Sequence, residues 1–160
     1  MNDKKLHEDP KRTTPIGLAR YAADFFDTAL AADEIIGRRP GFEIIAPIPV
    51  MYLVGHAIEL ALKAYLLANG ITLRKLKRNY GHDLHRILRK AKELGLQDSV
   101  ELTDDDESMV ELLNELYSTK QLQYIVSGSK TYPVFGPLHE VAEKLVRGIG
   151  ENVGYRPVRK

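Results

Sequence analysis

Cysteine is absent from the sequence. That excludes disulfides, thiolate metal sites and cysteine nucleophiles, and it fits a cytoplasmic protein. A net charge is almost absent too: 23 Lys and Arg stand against 22 Asp and Glu, so no overall basic character announces nucleic acid. No Gly-rich phosphate loop, no carboxylate pair at metal-ligand spacing and no Gly-x-Ser-x-Gly elbow occurs. The four Phe and eight Tyr fall mostly at core positions and outline no stacking platform. Residues 1–13 are polar and charged, with no apolar stretch of signal-peptide type, and read as a mobile tail. The expectation is a protein with no metal and no cofactor.

One long apolar run is present, from Ile48 to Asn69, stopped by Gly70. It has the length of a membrane span, but His56, Glu59 and Lys63 near its middle argue for a buried core helix instead. These three lie at i, i+3 and i+7, and with Tyr52 they fall within about 60° of arc on one face. A buried ionised group without a partner is costly, so the stripe is either salt-bridged inside the fold or the floor of a cleft. Glu59 and Lys63 are four apart in the favoured order for a helical ion pair.

Around this helix the pattern predicts an all-α antiparallel bundle of about five helices. Thr14-Pro15 starts the first, which follows helical spacing to Ile36. The apolar linker 42–47 is expected to pack down. Residues 70–80 hold room for a short helical turn. Gly81-His82-Asp83 opens the third long helix, with His82 or Asp83 as cap and Gly95 as stop. Thr103 caps the fourth, and Asp104, Asp105 and Asp106 favour its positive end. Pro137 is expected to start the fifth. The domain is read as residues 14–150, with a basic tail over 151–160.

Charge is unevenly spread. Residues 74–92 hold eight Lys and Arg, whereas residues 101–115 hold seven acidic residues and no basic one. Such neighbours either pair with each other or leave an anion-binding face beside a solvated acidic helix. His85, Arg86 and Arg89 stand near His82 in the basic block. A histidine can act as general base and an arginine can hold a phosphate, which is the chemistry of metal-independent RNA cleavage. His82 and His85, three apart, permit a shared face with His56, but local spacing sets no third metal ligand.

The run from His56 to Leu66, followed by Gly81-His82-Asp83-Leu84, resembles the HEPN superfamily (higher eukaryotes and prokaryotes nucleotide-binding domain), in its Gly-His-Asp-Leu type. The resemblance implies a helical bundle that usually forms a homodimer. It implies a place among RNA-cleaving toxins, antitoxin-paired and defence proteins, or partners of nucleotidyltransferases. Ribonuclease members carry an arginine, four to six intervening residues, then a histidine. Arg78 and His85 match that spacing here, but on either side of Gly81 and earlier in the domain than is usual. The leading expectation is therefore a non-catalytic module that binds nucleotide or RNA phosphate through His56, Glu59, Lys63, His82 and Arg86. The alternatives are a metal-independent endoribonuclease using Arg78 and His85, or a purely structural interaction protein.

Overall fold

In the computed structural model, which describes residue 9 and residues 11–157, Thr14 accepts a hydrogen bond from the Gly17 amide and opens helix α1 (Pro15–Ile36). Proline costs nothing there, because its missing N–H is one that the first turn leaves unpaired. Helix α2 (Ile48–Ala68) follows the linker 42–47. Of that linker, Ala46 is buried and Ile45 half-buried, but Ile44 is exposed, so it packs down only in part.

Helix α3 (Leu73–Lys75) is a single turn that widens into a π turn over Leu76–Tyr80. Gly81, at φ 51°, ends it. Helices α4 (Leu84–Glu93), α5 (Asp104–Tyr117) and α6 (Phe135–Asn152) complete an all-α bundle. No strand forms among the described residues. Five long helices match the expectation, and the sixth is the short turn between α2 and α4.

Helix α2 is the hub, packing against α1, α4, α5 and α6. It is long and apolar enough to cross a membrane by length and composition, and two-thirds of that stretch is buried inside the bundle. The burial is not uniform. Tyr52, Leu53, His56, Leu60, Lys63 and Leu67 are only half-buried, and they fall within about 100° of arc. This open stripe lets a lysine and a histidine sit on an otherwise dry helix. Glu59 lies just outside it and is buried.

The ends of the helices explain their lengths. Thr103 and Asp106 form a reciprocal capping box, and Lys144 of α6 reaches Asp106 at 2.7 Å. Helix α6 begins at Phe135, two residues before the proline expected to start it. Pro137 is simply tolerated inside the first turn. The end of α6 reaches Asn152, and the Tyr155 amide turns back to the Gly150 carbonyl at 2.8 Å. The remainder of the two expected tails lies largely at residues 1–8, 10 and 158–160, outside the described residues.

At the end of α5 the Gln121 amide donates to Leu116 O at 2.9 Å and the Lys120 amide to Tyr117 O at 3.1 Å. This paired closure usually takes glycine at its left-handed position. Here Lys120 occupies it, at φ 63°, the one positive-φ residue besides glycine among the described residues.

Candidate functional site

Glu59 is the anchor of the site. Its side chain is 3% exposed, and both carboxylate oxygens are engaged. Lys63, one turn along α2, donates to Oε1 at 2.5 Å and to the Gly81 carbonyl at 2.7 Å. One ammonium therefore joins the core helix to the turn before α4. His82 Nδ1 lies 3.0–3.1 Å from the two carboxylate oxygens. Tyr117 of α5 donates to Oε2 at 2.6 Å. Among the described residues no buried side-chain polar atom is left without a partner.

The hydrogen-bond directions follow from Glu59. A carboxylate only accepts, so Tyr117 must donate its phenol proton to it and His82 must donate from Nδ1. The phenol oxygen is then free to accept from His56 Nδ1, 3.2 Å away. Each imidazole thus commits Nδ1 to the network, and Nε2 is its remaining polar atom.

The charge states agree. Burial by itself pushes the Glu59 carboxyl upward, but the Lys63 charge and the bonds from Lys63, Tyr117 and His82 outweigh it and hold the carboxyl below its ordinary value. Burial lowers His56, against the pull of Glu59, and favours its neutral form. Burial and the Glu59 charge push the Tyr117 phenol well above the usual range, so it stays a donor.

Helix α4 places His82. Asp83, not His82, is its cap, accepting from the Arg86 amide at 3.0 Å. Asn114 of α5 accepts from the Leu84 amide at 2.8 Å and donates to Asp83 at 3.1 Å. This bridge fixes the start of α4 against α5 and so fixes the residue before the cap. Asn114→Ala is expected to cost about 1–2 kcal/mol in chemical denaturation, because two partners at a helix start lose their bond.

Above the network a small cavity of about 90 Å³ opens between Tyr52, His56, His82, Tyr117, Lys120 and Gln123. The rings around it are ordered: Tyr52 stacks parallel to His56 at 6.3 Å and Phe25 meets His56 edge-on at 4.5 Å.

The residues singled out in the sequence therefore divide. His56, Glu59, Lys63 and His82 come together, with Glu59 and Lys63 closed against each other and the two histidines facing the cavity. Arg86 does not join them; its guanidinium donates to the Asn79 carbonyl at 3.0 Å and braces the π turn. Arg78 is exposed on the π turn. His85 is exposed on α4 and paired with Glu111 of α5 at 3.0 Å, so it shares no partner with Arg78 or His82. Among the described residues no three His, Asp or Glu are grouped as metal ligands.

The sequence pattern does not single out Tyr117, Asn114, Lys120 or Gln123. One signal was available. Gly55 interrupts α2, where glycine weakens a helix and so marks a close approach. A Cβ there would lie 2.6 Å from Tyr117 Cδ2, so the bare backbone makes room for the phenol.

The family model described as HEPN domain matches residues 49–152, which contain every member of this network. No curated protein and no solved structure matches the chain.

Proposed function

The chain belongs to the HEPN domain family, and we propose that it is a non-catalytic module that binds nucleotide or RNA phosphates along its α3–α4 edge. The observation that carries this reading is how the basic block divides. Lys92 pairs with Glu107, His85 with Glu111, Lys90 with Glu93, and Arg86 lies beside Asp83. Arg74, Lys75, Lys77, Arg78 and Arg89 are exposed and form no ion pair among the described residues. On α4 the block is largely neutralised, with Arg89 the exception, and the part on α3 and the π turn is left to meet an anion.

The non-catalytic part rests on the isolation of His85 from Arg78 across Gly81, with Glu111 on the histidine. By family habit it works as a homodimer, with a nucleotidyltransferase, an antitoxin or another protein as partner, and its lack of cysteine fits the cytoplasm. Light scattering that gives a monomer at micromolar concentration counts against the homodimer.

The test is anisotropy with a short single-stranded RNA over a salt series. Reversing Arg74, Lys77 and Arg78 to Glu is expected to abolish most binding. For single strands each lost phosphate contact lowers the log-log salt slope by about 0.7. Binding unchanged in that variant sinks the reading, and binding absent at every salt concentration favours a structural interaction protein. RNA cleavage in the presence of chelator, lost in both Arg78→Ala and His85→Ala, replaces it with the ribonuclease.

A further inference from the structure

We infer that the cavity between α2 and the end of α5 is a subsite for a phosphate monoester. The inference goes beyond the reading above: it adds a second phosphate contact, at a place separate from the α3–α4 edge.

The donors around the cavity are unspent. Lys120 forms no ion pair or side-chain hydrogen bond among the described residues. The Tyr52 phenol accepts from the Gln123 amide at 2.9 Å. Its own O–H proton is therefore free to donate, as is the second amide proton of Gln123. The one carboxylate beneath, Glu59, is sealed, with both oxygens engaged by Lys63, His82 and Tyr117. A ligand entering here meets donors rather than a competing anion.

The imidazoles supply the complementary half. His56 and His82 commit Nδ1 to Tyr117 and Glu59, and in His56, which burial keeps neutral, Nε2 is an acceptor. A phosphate monoester has a second pKa of about 6, so near neutrality it carries acceptor oxygens and, in part, a proton to donate. Sulfate and a phosphodiester have no such proton. The volume, about 90 Å³, accommodates a tetrahedral group and leaves no room for a base and ribose beside it.

Lys120 adds an independent observation. It holds a left-handed backbone, φ 63°, in a closure where glycine is the usual occupant, and the residue lines this cavity. Strain of this kind persists at ligand sites where the surroundings determine it. The cap brings Lys120 to the rim of the cavity at the expense of backbone comfort.

Calorimetry on the full chain tests this with four probes: inorganic phosphate, a nucleoside 5′-monophosphate, and one oligoribonucleotide with a 5′-phosphate or a 5′-hydroxyl. Sulfate is the control. Phosphate and the monophosphate are expected to bind more tightly than sulfate, and the 5′-phosphate to strengthen oligonucleotide binding. Lys120→Gly is expected to weaken the phosphate-bearing probes about tenfold, the scale of one charge-assisted bond, while its melting temperature rises as the strain is relieved. Lys120→Gln should lose affinity without that rise. A more stable Lys120→Gly with unchanged phosphate affinity overturns the inference, as does equal binding of the two oligonucleotides. The 5′-hydroxyl oligonucleotide reports the α3–α4 edge alone. Its failure to bind, with Lys120-dependent phosphate binding retained, overturns the edge reading and keeps this one. If no probe binds, both fall.

Discussion

Lys63→Ala is expected to destabilise the protein by about 3 kcal/mol, the lower end of the range for breaking a buried ion pair. The substitution strands Glu59, whose side chain is 3% exposed. Two effects keep the loss from being larger. His82 and Tyr117 still donate to the carboxylate, and the Lys63 side chain itself is 15% exposed. The Gly81 carbonyl also loses its ammonium donor, which loosens the turn before α4. Urea unfolding checks the magnitude; a loss below about 1 kcal/mol is what an exposed pair would give and rejects the sealed network.

The same network sets the acid response. His56 is depressed in the folded chain, so its contribution is present above the ordinary 6.5 and fades as pH falls through that value and below. Glu59 is also depressed, so its contribution is present above 4.5 and is lost as pH falls further. Thermal melts should therefore show stability falling in two stages on acidification. His56→Gln is expected to remove the first stage and leave the second. A flat melting temperature between pH 7 and pH 5 contradicts this assignment.

Gly55→Ala is the second large effect, and its sign is the informative part. On an isolated helix alanine is favoured over glycine by about 1 kcal/mol. Here the new Cβ meets the Tyr117 ring, with Cδ2 at 2.6 Å and Cε2 at 3.0 Å. Relieving that contact costs about 1–3 kcal/mol in overpacking. If the phenol withdraws from Glu59, a buried bond worth about 1–3 kcal/mol goes with it. The net expectation is a destabilisation of about 1–4 kcal/mol. In a double-mutant cycle Tyr117→Ala should relieve most of the Gly55→Ala penalty, since it removes the ring that is struck. A raised melting temperature for Gly55→Ala alone shows that helix propensity wins and that Tyr117 has room to move.

The helices were legible because their signals are local. Thr14-Pro15, Gly81 and Thr103 act on their own few residues of backbone, and each marks a boundary where the pattern places it. Spacing along one helix likewise determines that Glu59 and Lys63 meet, whatever packs around them. The choice between Asp83 and His82 as cap was beyond that reach, because it depends on Glu59 drawing the imidazole away. So was the fate of the basic block, whose pairing depends on α5 lying beside α4. Tyr117, Asn114, Lys120 and Gln123 come from the far side of the chain and bear no helical phase relation to α2. A pattern read along one helix carries no information about which side chain of another will donate to it. The sequence by itself therefore determined the bundle and the ion pair at its centre, while the tertiary packing of α5 on α2 decided that the pair is sealed below and that a polar cavity opens above it.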